Sequence, residues 1–352
     1  MLKSIEIKNY RGIKNLKIDN FKKYNFFVGD NGSCKTTILE SLFSAFPNSP
    51  EGIITAANSR GLQVNLDNKY NFFFNADEEN KIEFILNDEI VTKINTKNFI
   101  EKNSLDLTNT SVSIEAKLSS LMSPKFLYNS LKSHGEKVFL DVDIMIDNIF
   151  NITTNIKDIN NNLLNKYSKI YGSSYFISPS IKYKGNASLV IKELIKNKKK
   201  NELIDILNLF EKDIDDINLD GSQVLLSKKG VKKLLPISSF GGGLSSILDI
   251  VTYLFDDEIK TLFIDEIETG IHYLNYQKFC ESLIKVSKEK DIQLFITTHS
   301  KEILEEFYKI LENTNKDDTC LYRFQKNNDT IKSVHYTKER ALSAIQNNWD
   351  VR

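Results

Sequence analysis

Residues 24–46 read YNFFVGDNGSCKTTILESLFSAF: a short apolar run, a glycine-bearing loop, then apolar residues at helical spacing that stop before Pro47. The pattern predicts strand, loop and helix in succession. Within the loop, Gly29, Lys35 and Thr36 hold the fixed places of the P-loop pattern G-x-x-x-x-G-K-[ST], and Cys34 stands where that pattern has its second glycine. The backbone N–H groups of such a loop, backed by a helix N-terminus, form a concave cradle for phosphate oxygens. Gly29, Asp30, Asn31, Gly32, Ser33, Cys34, Lys35 and Thr36 are therefore the expected phosphate-binding residues. Lys35 is expected to reach the β- and γ-phosphates, and the Thr36 hydroxyl to hold Mg²⁺. A Cβ at position 34 is expected to point into the cradle, which glycine would leave open.

Three further segments bear on the same chemistry. TLFIDE (261–266) is an apolar strand ending in Asp265 and Glu266. Asp265 is placed to hold Mg²⁺ through water and Glu266 to polarise an attacking water, although two acids at a strand end can also cap a helix. One strand further on, Thr297-Thr298-His299-Ser300 puts a histidine where a γ-phosphate sensor would lie; a lone histidine is more often structural. Ser238-Ser239-Phe240-Gly241-Gly242-Gly243 opens a helix, with free N–H groups and hydroxyls suited to a phosphate.

Outward from these motifs, residues 2–8 and IKNLKI (13–18) read as alternating strands. The stretches 61–66, 70–75, 81–86, 89–94 and 111–117 alternate between Asn/Asp turns, as in an antiparallel meander, and 119–170 reads as helical and Asn-rich. A strand at 174–178, helices near 187–196 and 201–215, and paired strands QVLL and KKLLP follow. The expected architecture is an α/β P-loop domain whose halves, 1–60 and 222–352, are separated by a meander and helical insertion at 61–221.

The 352 residues balance 47 basic against 47 acidic side chains, with 41% hydrophobic and 27% charged residues. That composition excludes disorder and collagen-like repeats. Any DNA contact should be weak and salt-dependent, since Lys196–Lys200 is the only compact basic run and a solvated helix–helix turn explains it more simply. Three scattered cysteines make neither a disulfide framework nor a zinc site. No apolar run is long enough to span a membrane, and no signal peptide is evident, so a cytoplasmic location is expected.

The order of P-loop, S-x-G-G-G, hhhhDE and T-T-H-S resembles the ABC-type ATPase head of SMC proteins, RecF and the OLD nucleases. NYRGI (9–13), PISSFGGGLSSIL, IDEIETGIHY and FITTHS are most similar to the stand-alone AAA-type ATPases that accompany the OLD group, with Thr269 where that family commonly has Asn. The resemblance covers residues 1–46 and 222–352. It implies an ATP- and Mg²⁺-dependent homodimer: Gly29 to Thr37, Asp265, Glu266 and His299 face the nucleotide from one subunit, and Ser239 and Gly241–Gly243 close over the γ-phosphate from the other. Lys35, Glu266 and His299 would be the catalytic groups, with Thr36 and Asp265 on the metal. Glu268 and His272 could shape the interface, and Gln63 could sense the metal.

No TOPRIM-type acidic cluster follows the head within the chain, so the chain is expected to cut nothing itself and to signal to a separate effector, a nuclease in anti-phage defence. The alternatives are a RecF-like repair ATPase, whose Walker B runs D-D-x-x-x-x-L-D, and a nucleotide-binding scaffold with little turnover, which Cys34 makes credible. Asn315-Lys316-Asp317-Asp318 fits the guanine-reading N-K-x-D, but its helix-to-strand context is that of a loop, which favours ATP.

Overall fold

Strands β3 (Tyr24–Gly29), β13 (Ile259–Ile264) and β14 (Gln293–Thr297) are largely apolar because both their faces are covered. The computed structural model describes residues 1–45, 60, 69–77, 79–88, 90–95, 127–134, 137–146, 150–156, 173–179, 186–312 and 317–347. These three strands lie in a six-stranded sheet of order β16-β15-β3-β14-β13-β9, completed by β9 (Ser173–Ile177), β15 (Thr319–Asn327) and β16 (Thr330–Thr337). All neighbours are parallel except the β15–β16 hairpin.

Side-chain alternation along these strands feeds two cores. Tyr24, Phe26, Val28, Leu262, Ile264, Leu294 and Ile296 enter one, whereas Phe27, Phe263 and Phe295 enter the other. The first is covered by helices α2 (Asn186–Lys196), α3 (Lys200–Asn208), α4 (Gly242–Tyr253), α5 (Tyr276–Glu289), α6 (Lys301–Glu312) and α7 (Lys338–Gln346). The second lies against α1 (Lys35–Ser44) and a seven-stranded antiparallel sheet. That sheet has the order β2-β1-β4-β5-β8-β7-β6, from β1 (Ser4–Tyr10), β2 (Ile13–Asp19), β4 (Ile82–Leu86), β5 (Ile90–Asn95), β6 (Leu127–His134), β7 (Lys137–Ile146) and β8 (Phe150–Ile156). α1 is thus held between two sheets, and every one of its residues except Thr36 is buried. A small sheet of β10 (Ile214–Asp220), β11 (Gln223–Lys228) and β12 (Leu235–Pro236) leads into a 3₁₀ turn, Ile237–Phe240, and then α4.

The structure departs from the sequence pattern in the middle of the chain. The expected strand at 70–75 is two 3₁₀ turns, Lys69–Phe72 and Phe74–Ala76. Phe72, Phe73 and Phe74 are all buried, which a strand with alternating faces could not achieve against one core. The stretch 119–170, expected to be helical, supplies β6, β7 and β8 over its described residues. In KVFLDVDIMI, apolar and mostly β-branched residues recur with period two, and that pattern outweighs the Asn-rich character of the region. The helix expected over 201–215 stops at Asn208. Its amide donates to the Ile204 and Ile214 carbonyls at 3.1 and 2.8 Å and accepts from Ile214 N–H at 3.0 Å, turning the chain into β10. Only Leu235–Pro236 of KKLLP pairs. The expected strands at 61–66 and 111–117, Gln63, Asn315 and Lys316 lie outside the described residues.

In the Lys196–Lys200 run, Lys196, Lys199 and Lys200 reach Glu193, Asp257 and Asp216 at 3.5, 3.1 and 2.5 Å, as a solvated turn would. Among the described residues no helix is long and apolar enough to cross a membrane.

Candidate functional site

The loop between β3 and α1 is shaped by two backbone constraints. Gly29 has φ 142°, and a Cβ there would stand 2.2 Å from the Phe324 carbonyl oxygen on β15, so only glycine fits. Cys34, which caps α1, is left-handed at φ 68°, ψ 20°. A glycine takes that conformation freely, while an L side chain costs about 1–2 kcal/mol. The thiol does not follow the expectation from sequence. It packs toward the β1–β2 turn, where a Cβ on Gly12 would lie 3.1 Å from Sγ, and it donates to the Gly32 carbonyl at 3.7 Å. Burial raises its pKa, opposed by Lys326, Arg60 and Lys35.

Lys35 projects back over the loop. Its ammonium donates to the carbonyls of Gly29 and Asp30 at 2.8 and 3.0 Å and lies 3.4 Å from Ser33 Oγ. Burial lowers its pKa, and Asp265 and Asp30 act in the opposite sense. Ser33 and Thr37 are buried, whereas Asp30, Asn31 and Gly32 form the exposed rim.

The parallel strands β3, β14 and β13, adjacent in the middle of the six-stranded sheet, bring the loops at their C-terminal ends together. Thr36 Oγ1 donates to Asp265, lying 3.0 and 3.1 Å from its two oxygens. Thr297 Oγ1, at the end of β14, donates to Asp265 Oδ1 at 2.6 Å and accepts the Glu266 N–H at 2.7 Å. Burial pushes the Asp265 carboxyl up to about 6, against these two hydroxyls, which pull it down. Glu266 is exposed and left-handed at φ 47°, with the strain that often marks a functional turn. Glu268 turns back onto the next loop: its carboxylate accepts Thr298 Oγ1 at 2.6 Å and the His299 N–H at 2.7 Å.

A buried carboxylate, held by hydroxyls and raised by desolvation, suits a hard cation. Asp265 with Thr36 fits Mg²⁺, which binds through one or two protein oxygens and takes its other ligands from phosphate and water. Among the described residues no group of three or more His, Cys, Asp or Glu side chains could hold a metal by itself. Bound there, the ion would neutralise phosphate charge.

Ser239 and Gly241–Gly243 lie on the 3₁₀ turn before α4 and at the start of α4, not on the loop between β3 and α1. α4 packs on α2, α3 and β13, whereas α1 packs on β1, β3, β9 and β14. Ser239, Gly241 and Gly242 are exposed. Gly243 abuts the turn after Glu266, since a Cβ there would lie 3.0 Å from the Gly270 carbonyl. His272 is exposed and accepts the Leu274 N–H at 3.4 Å, capping a 3₁₀ turn.

The profile described as "AAA domain, putative AbiEii toxin, Type IV TA system" matches residues 24–305, a span running from β3 through all three loops. The chain belongs to this AAA_21 family. It is a P-loop ATPase. An "ATP/GTP phosphatase" of Helicobacter pylori is 27% identical to this AAA_21 chain over 325 residues, 87% of each protein. An uncharacterized protein of Methanocaldococcus jannaschii is 42% identical over 52 residues, 15% of this chain and 23% of that one. Among solved structures, an SmcHead bound to the C-winged helix domain of ScpA is similar, with a TM-score of 0.51 at 14% identity, covering 97% of this chain and 99% of that one. The AAA_21 chain therefore has the fold of an SMC ATPase head.

Sequence reasoning gave Thr297 no role and missed an ion cluster around a buried acid in this AAA_21 chain. Glu40, fully buried in α1, accepts from Arg60 at 2.8 and 3.2 Å and faces Arg11 at 3.7 Å. Arg60 also donates to Thr37 Oγ1 at 3.1 Å. The Arg11 guanidinium lies over the Phe72 ring, 4.9 Å from its centre. An acid amid ILESLF was the available signal, because a buried charge requires partners.

Proposed function

We propose that the protein binds ATP with Mg²⁺ and dimerises around it, so that hydrolysis at two shared sites switches its hold on a separate effector. The observation that supports this reading is the convergence of Thr36, Asp265, Glu266 and Thr297 beside the loop of Gly29–Thr37, with Ser239, Gly241 and Gly242 exposed on a different element. A second copy would bring its Ser239, Gly241, Gly242 and Gly243 to the γ-phosphate.

In this reading Lys35 leaves the Gly29 and Asp30 carbonyls for the β- and γ-phosphates. Asp265 and Thr36 hold Mg²⁺, Glu266 orients the attacking water, and His299 contacts the γ-phosphate. Residues 1–60 and 222–352 supply the nucleotide-binding loops of the head, and 61–221, which also contributes β4 and β9 to its two sheets, carries partner specificity. The effector is a nuclease in defence against phage, as in the OLD-associated ATPases; the toxin–antitoxin description of the family supports a defence role. The name of the Helicobacter pylori relative supports nucleoside triphosphate hydrolysis.

Phosphate release from ATP and from GTP, with and without Mg²⁺, tests the reading. ATP-dependent release that is lost in both Lys35→Ala and Glu266→Gln is expected. Release that persists in Glu266→Gln would remove that residue from its role.

A further inference from the structure

We propose that Glu268 is a positioning residue for His299, fixing where the histidine stands relative to the transferring phosphate; this rests on the reading of His299 as the γ-phosphate contact. Both oxygens of Glu268 are committed to one loop, Oε2 to the Thr298 hydroxyl at 2.6 Å and Oε1 to the His299 backbone N–H at 2.7 Å. Hydrogen bonds to an ionised carboxylate are about twice as strong as neutral ones. A bond to the backbone of the residue that carries the ring fixes its Cα and so the reach of the ring.

The other end of the clamp is also rigid. Glu268 sits in a turn closed by Thr269 N–H to the Glu266 carbonyl at 2.9 Å and Ile271 N–H to the Glu268 carbonyl at 3.1 Å. Thr298 is braced in turn, its Oγ1 accepting the Ser300 N–H at 3.0 Å. The turn carrying Glu266 and the loop carrying His299 therefore hold a fixed spacing through one side chain.

Simple loop stapling is the competing role, and it explains the choice of residue poorly. Glu268 is the third acid within four positions, after Asp265 and Glu266, and like charges so close are unfavourable. A glutamine could accept the His299 N–H and donate to Thr298 without that repulsion. A carboxylate at this place gives the tighter clamp that setting a reacting geometry needs.

Steady-state ATP hydrolysis by His299→Ala, Glu268→Ala, Glu268→Gln and the double variant His299→Ala/Glu268→Ala tests the proposal. Glu268→Ala should lower kcat by about 100-fold, the usual scale for misplacing a group by about 1 Å, with KM little changed. Glu268→Gln should fall between it and wild type. On the His299→Ala background, removing Glu268 should cost nothing more, because the group it positions is gone. Full multiplication of the two losses, or a raised KM with unchanged kcat, would overturn the proposal alone. Full activity of His299→Ala would overturn the underlying reading of the histidine as well. Should Glu268→Ala fail to fold, the same cycle is run with Glu268→Gln.

Discussion

The Thr36 hydroxyl lies 3.0 and 3.1 Å from the two carboxylate oxygens of Asp265, although 229 positions separate them in the chain. This contact joins the loop after β3 to the end of β13, and its cost is electrostatic. Burial raises the Asp265 carboxyl to about 6. The unfolded chain would titrate this group near 3.9. The native state then binds more protons at this group between these values, so its contribution to stability is most favourable at low pH and is lost as pH rises through about 4 to 6. The loss approaches about 3 kcal/mol above that window. Asp265→Asn removes the titration. Its melting temperature without nucleotide should exceed that of wild type by several degrees more at pH 8 than at pH 4.5, and thermal denaturation at the two pH values checks this. A difference that does not vary with pH would contradict it.

The parts of the site legible in the sequence are those built from adjacent residues. Strand, loop and helix at 24–46 and the acids after Ile264 are local patterns, and the structure has those elements in those places. Thr297, Arg60 and Glu40 act across 20 to 32 positions, and their partners depend on strand order and on α1 being enclosed by two sheets. Neither is written in any short window. Within 119–170 the described residues are strands, because the period-two apolar pattern of β7 outweighs the Asn-rich composition on which the helical expectation rests.

Two positions in the loop should respond in opposite directions. Cys34→Gly relieves a left-handed side chain, and after the entropy cost of glycine it should raise stability by about 0.5–1 kcal/mol. ATP affinity should be unchanged, because the thiol packs toward Gly12. Gly29→Ala forces a Cβ to 2.2 Å from the Phe324 carbonyl and should cost about 3 kcal/mol or more. Denaturant unfolding of both variants, with ATP titration of the first, measures these effects.

Buried and exposed ion pairs should differ sharply. Glu40 is 0% exposed and meets Arg60 at 2.8 Å. Glu40→Ala leaves Arg60 and Arg11 without their carboxylate and should cost about 3–5 kcal/mol. Lys199 and Lys290 meet Asp257 at the surface at 3.1 and 3.0 Å, and Asp257→Ala should cost about 1 kcal/mol or less. Urea unfolding distinguishes them, and similar midpoints for the two variants would mean that the Glu40 cluster contributes no more than a surface pair.

The most direct test of the shared-site account is the mass in solution of Glu266→Gln with saturating ATP and Mg²⁺, measured by light scattering after size exclusion. With hydrolysis slowed, nucleotide should stay bound between two heads, and the mass should double on adding ATP. Lys35→Ala should not respond. A Glu266→Gln protein whose mass stays that of a single chain at saturating ATP would contradict a site completed by Ser239–Gly243 of a second copy.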